Sequence, residues 1–157
     1  MIAPPFVNQL KIYIMNMYYF EVSIRYDQVQ ETGLIKKVTE KYLVEATSFT
    51  EAEAKSVEYI GQYVNGEYDI TAIRRQPIAE IFQSKKEQAD RWYKAKIAFI
   101  TIDERSGEEK RISKVVMVQA TDFDDARNAI QEGMDGTLGD WEKAQLSETR
   151  IVDVLKQ

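Results

Sequence analysis

Residues 42–54 read YLVEATSFTEAEA, and residues 116–129 read VMVQATDFDDARNA. A chain of 157 residues that writes one motif twice is constrained first by that repetition, because similar segments fold into similar units. Other anchors extend the match. Tyr19-Phe20 corresponds to Trp92-Tyr93, 73 positions on, and the same offset carries Gly66-Glu67-Tyr68 onto Gly139-Asp140-Trp141. Between them Ala46-Thr47 corresponds to Ala120-Thr121 at an offset of 74, so one residue is gained in a hairpin turn and lost again near the helix. Loops tolerate both changes. The unit closes with IAEIF at 78–82 and IVDVL at 151–155, which leaves two copies of about 64 residues.

Within the first copy Phe20, Val22, Ile24 and Tyr26 alternate with Glu21, Ser23 and Arg25, the period of a half-buried strand. Tyr93, Ala95, Ile97 and Phe99 repeat the pattern in the second. A polar turn, Glu31-Thr32-Gly33 or Arg105-Ser106-Gly107, then leads back into a second strand, so each copy opens with a long β-hairpin. The doubled motif comes next and predicts a strand-to-helix joint. Ser48 with Glu51, and Asp122 with Asp125, have the spacing of a helix cap, where free N–H groups and the macrodipole favour acceptors and acids. Phe49 and Phe123 are expected to plug the corner. Ala52 and Ala126 are expected to begin the buried stripe, continued by Val57 and Ile60 or by Ala129 and Ile130. Asn65-Gly66 and Asp135-Gly136 are expected to stop the helices. A third strand follows, near 67–74 and 140–147, and the closing IAEIF and IVDVL fit either a short fourth strand or a helical turn.

The expected fold is therefore α+β: two tandem ββαβ repeats with pseudo-two-fold symmetry, mainly antiparallel sheet, and two helices packed on one side. Residues 1–16 read as an N-terminal arm outside the repeats, 17–82 as the first repeat, 83–90 as a polar connection and 91–157 as the second repeat, the two forming one structural domain. The first sixteen residues are too short and too polar to span a bilayer.

Composition removes several chemistries. With no cysteine and no histidine the chain has no thiolate metal site, no cysteine nucleophile and no Ser-His-Asp triad, so any catalysis would rest on carboxylates, lysine, tyrosine or serine. A net charge of −5 argues against general polyanion binding, and no glycine-rich phosphate loop is present. An acidic, cytoplasmic protein without cofactor is expected.

The joint motif, the two-copy layout and the stretches RYDQVQETGLIKKVTEKYLVEATSFTEAEA and DRWYKAKIAFITIDERSGEEKR resemble a family known only as a domain of unknown function. It is a duplicated family of about 150 residues from gut-type anaerobic bacteria and some of their phages. The resemblance covers Met17 to Val154 and implies no activity, cofactor or catalytic residue.

Candidate sites follow from position. Glu80 and Asp153 are equivalent carboxylates that would share a cation or a proton if brought together, or else each cap a turn or face solvent in its own repeat. Asp122, Asp124 and Asp125 lack the spacing of a calcium loop and fit helix capping better. Basic clusters at Lys36-Lys37, Arg74-Arg75, Lys85-Lys86, Lys94/Lys96 and Lys110-Arg111, with Tyr19, Tyr68, Trp92 and Trp141 in the strands, suggest a nucleic-acid platform or simply solvated strand edges. If Val44 and Val118 face the helices, Leu43 and Met117 face the other side of the sheet, joined by Tyr19 and Trp92. That face is expected either to serve a protein partner or self-association, or to be covered by the arm or loops. The functional expectation is a non-catalytic cytoplasmic binding or assembly module of a phage-related kind, with a nucleic-acid-binding protein and a carboxylate- or lysine-dependent enzyme as alternatives.

Overall fold

The computed structural model describes residues 17–156, so the expectation placed on residues 1–16 lies outside the described residues. The chain is α+β, with two helices and two mainly antiparallel four-stranded sheets. The first hairpin pairs β1 (Tyr18–Val29) with β2 (Ile35–Ala46), and α1 (Phe49–Ile60), β3 (Tyr68–Gln76) and β4 (Ile78–Phe82) follow. The second half pairs β5 (Arg91–Ile102) with β6 (Glu109–Ala120), then continues through α2 (Phe123–Gly133), β7 (Asp140–Glu148) and β8 (Ile151–Leu155). Alternation does what the sequence requires: Phe20, Val22 and Ile24 enter one core with Val44, while Tyr93, Ala95 and Ile97 enter the other with Val118.

The two closing segments are strands, and each leaves the half of the chain that precedes it. The sheet orders are β3-β1-β2-β8 and β4-β6-β5-β7, with β8 parallel to β2 and β4 parallel to β6. Connection length explains this. Both β3 and β2 run antiparallel to β1, so β4 could lie parallel to β2 in its own half only after a crossover. Such a crossover needs about a dozen residues, and Pro77 alone separates β3 from β4. Thr149 and Arg150, between β7 and β8, are equally too few. One compact unit is therefore Ile78–Thr149, and the other joins the described residues up to Pro77 to those from Arg150 onward.

The joints fold as their spacing requires, with two corrections. Ser48 Oγ accepts the Glu51 N–H at 3.1 Å, and an Asp122 Oδ1 accepts the Asp125 N–H at 2.8 Å. Ala52 and Ala126 are fully buried, so each helix comes close to its sheet. Phe49 and Phe123, however, are 53% and 47% exposed and do not plug the corner. Each is the first helical residue, and its ring leans on a strand aromatic from outside: Phe49 on Phe20 at 4.8 Å between centroids, Phe123 on Tyr93 at 6.2 Å. Val57 also faces water, because the buried stripe of α1 runs Ala52, Ser56, Ile60 along one four-residue row. Ser56 Oγ donates to the Ala52 carbonyl at 2.7 Å, which satisfies the hydroxyl inside.

The helix stops also differ. Helix α1 ends at Ile60, before Asn65-Gly66, because Gly61 follows and glycine is a poor helix former. Only Gly136 shows the positive φ expected of a stop, at 81° and beyond the end of α2.

Candidate functional site

The connection expected at 83–90 is tied down rather than loose. The Ser84 N–H donates to Gln119 Oε1 at 3.0 Å, and the Lys86 ammonium pairs with the Asp125 carboxylate at the start of α2. Because β4 lies at the edge of its sheet and the connection is held against the helix, a groove of about 730 Å³ remains between them. Its apolar lining comes from Ile81, Phe82 and Ala129, and the Phe82 ring packs directly against Gly133, where a side chain would stand in its way. Its charged margin carries Glu132 and Asp135 from the helix side and Lys85 from the connection. Among the described residues no strand pairs with the outer side of β4, so one wall of the groove is an edge strand.

Electrostatics within the groove is dominated by one pair. Lys86, then the Thr121 N–H, bonds the charged form of Asp125 and holds its carboxyl below the usual carboxylate range. Asp125 in turn raises the Lys86 ammonium above its ordinary value. Each partner stabilises the other's charge.

The sequence candidates fall elsewhere. Tyr19, Leu43, Trp92 and Met117 are 8%, 0%, 2% and 1% exposed, so within this chain they do not form an open partner surface. Alternation placed them on the second face of each sheet; it carried no information about what covers that face. Glu80 is buried on β4 and lines the groove, whereas Asp153 belongs to the other sheet, its Oδ1 accepting the Val154 N–H at 2.8 Å. Asp122 and Asp125 work as helix-capping groups, and no group of three or more acids able to hold a metal occurs among the described residues. Four of the clustered basic residues meet an acid: Lys86 with Asp125, Lys37 with Asp27 at 3.8 Å, Lys110 with Asp103 at 3.2 Å and Arg111 with Glu142. A base-stacking platform is poorly served, since Tyr19 and Trp92 are buried and Lys143 sits 5.3 Å from the centre of the Trp141 ring.

One cluster escaped the sequence reading. Glu40 lies on the inward face of β2, and its two carboxylate oxygens accept hydrogen bonds from the Tyr26 and Tyr42 hydroxyls. Burial, reinforced by Glu40, pushes the Tyr26 hydroxyl up to about 12 and raises Tyr42 as well. Both phenols are thus held as donors. The signal was present, because Glu40 shares the even-numbered inward parity of Tyr42 and Val44.

Fold and groove together define an α+β protein whose edge strand and helix frame a cleft. Residues 18–157 match the family model described as a domain of unknown function, DUF4494, and the chain belongs to that family. No curated protein and no solved structure matches it. No helix among the described residues is long and apolar enough to cross a membrane.

Proposed function

We propose that the protein is a non-catalytic binding module and that the groove between β4 and α2 receives an extended peptide segment of a partner protein. The observation that carries this reading is the coincidence of a groove of about 730 Å³ with an edge strand. Ligand sites commonly occupy about 300–1,000 Å³. An edge strand recognises a peptide through main-chain hydrogen bonds, and adjoining pockets select its side chains. Ile81, Phe82 and Ala129 suit apolar side chains, while Glu132 and Asp135 outnumber Lys85 at the margin and suit a cation. The partner is therefore an extended segment alternating apolar and basic residues.

The pairing of Lys86 with Asp125 supports a binding role over a catalytic one. Each drives the other toward its charged form, away from the near-neutral range where proton transfer is efficient. We also infer that the two halves are tandem copies of one ββαβ unit. The orders β3-β1-β2-β8 and β7-β5-β6-β4 correspond strand for strand, and both joints use the same cap geometry.

The test uses a hexapeptide alternating valine and lysine, and a second alternating valine and glutamate, titrated into the labelled full chain and followed by amide chemical shifts. The lysine peptide is expected to shift amides within 80–86 and 128–135, and the double variant Glu132→Lys/Asp135→Lys to abolish the effect. Absence of groove shifts, or equal shifts with both peptides, overturns the proposal.

A further inference from the structure

The two exchanged strands occupy matching places but end in side chains of different size and shape. Phe82 ends β4 opposite Val118, and Leu155 ends β8 opposite Val44. On the helices, counting seven residues from the buried Ala52 and Ala126 reaches Tyr59 and Gly133. In one unit the large ring is on the strand and the helix supplies glycine. A methyl group placed on Gly133 would stand 2.9 Å from three Phe82 ring carbons. In the other unit the large ring is on the helix: Tyr59 packs against the same core as Leu155, its ring 5.1 Å from Tyr42 and 4.9 Å from Tyr63.

We infer that this exchange is keyed: β4 is built to complete the sheet beside α2, β8 to complete the sheet beside α1, and neither strand can replace the other. Phe82 beside Tyr59 would place two rings where the native Phe82 leaves no room for a methyl. Leu155 beside Gly133 would leave a void the size of the missing ring carbons, which close-packed interiors do not tolerate. Connection length forces each strand out of its own half, and side-chain size then selects its destination. The partner of each closing strand is consequently the other half of the chain. A copy of the same half is excluded, so residues 17–82 will not assemble with themselves by exchanging β4.

Full-length variants decide this. Gly133→Tyr is expected to lower Tm by at least about 5 °C and to speed amide exchange of residues 79–82 about tenfold or more, because β4 loses its seat. Phe82→Leu alone is expected to lower Tm as well. Combining the two recreates the Tyr59 and Leu155 pair of the other unit and is expected to recover most of the loss. A Gly133→Tyr protein with unchanged Tm and unchanged β4 exchange overturns the inference. So does a double variant no more stable than Gly133→Tyr alone. If Gly133→Tyr does not fold, Tyr59→Gly with Leu155→Phe poses the question in the opposite unit: each single change is expected to lower Tm and the pair to recover it, and additive losses overturn the inference.

Discussion

Truncating Phe49 or Phe123 to alanine separates a leaning ring from a plugging one. A fully buried phenylalanine cut to alanine costs about 3–5 kcal/mol, the sum of lost transfer energy and the cavity left behind. Phe49 is 53% exposed and Phe123 47%, so about half of the transfer contribution is at stake and no closed cavity forms. The edge-on contacts with Phe20 and Tyr93 are each worth about 0.5–1.5 kcal/mol beyond area burial. The expected loss is about 1–2 kcal/mol at each position, against about 3–5 kcal/mol for Phe20→Ala, whose side chain is 1% exposed. Denaturant titration with linear extrapolation measures these values, provided the slope is unchanged between variants. The probe must match the unit. Trp92 and Trp141 both lie in the unit containing Phe123, so indole fluorescence reports Phe123→Ala and far-ultraviolet dichroism must report Phe49→Ala. A loss above about 3 kcal/mol at either phenylalanine would mean the ring is buried after all, and one below about 0.5 kcal/mol would mean the aromatic contacts contribute nothing.

Further outcomes follow from other sites. Asp125→Asn is expected to cost about 0.5–1 kcal/mol at pH 7 and to flatten the acid limb of the stability profile. The Asp125 pKa is depressed in the fold, so its contribution is complete above the ordinary aspartate range near about 4 and disappears as pH falls through the lowered value; midpoints measured between about pH 2 and 7 check this. Tyr26→Phe and Tyr42→Phe are each expected to cost about 1.5–3 kcal/mol by removing a donor to Glu40. The Tyr26 hydroxyl is raised to about 12, so its contribution is complete below about pH 10 and is lost as pH rises through the folded value, which an ultraviolet titration of tyrosine ionisation follows. Ala126→Leu is expected to cost about 1–3 kcal/mol by forcing α2 off its sheet, measured by denaturant midpoint.

What was legible in the sequence was local. The hairpins follow from alternation at Phe20, Val22 and Ile24 and at Tyr93, Ala95 and Ile97, since a period of two has one structural meaning over that length. The joints follow from an acceptor at 48 or 122 with an acid three residues on. The closing strands were legible only as short apolar segments, because a parallel pairing between distant parts of the chain leaves no periodic trace. Their destination was nonetheless implied by Pro77, a connection too short for a return crossover. The groove was invisible for the same reason: it exists only once β4 has crossed to β6. Phe49 and Phe123 misled because an aromatic at a helix start implies contact with the strand but does not fix how much of the ring that contact covers.

Connection length and side-chain key can be separated in one protein. Replacing Pro77 with about fifteen flexible residues supplies the crossover that β4 lacks, and topology then permits it to lie on its own side, parallel to β2. If connection length alone sets the exchange, a longer connection should release β4 to either sheet. If Phe82 is keyed to Gly133, β4 should remain on β6 whatever the length. The chain contains no cysteine, so cross-linking reads the answer directly. Residue 81 pairs with residue 117 in the observed register, and Leu43 holds the matching place on β2, opposite Val154. Paired parallel strands are about 4.8 Å apart, within disulfide reach. In the long-connection variant, Ile81→Cys with Met117→Cys is expected to oxidise readily, while Ile81→Cys with Leu43→Cys stays reduced. Adding Phe82→Leu and Tyr59→Gly should remove the discrimination and let the second pair form. A disulfide between 81 and 43 while Phe82 and Tyr59 are intact would show that β4 has no preference, and the exchange would then be a matter of chain length alone.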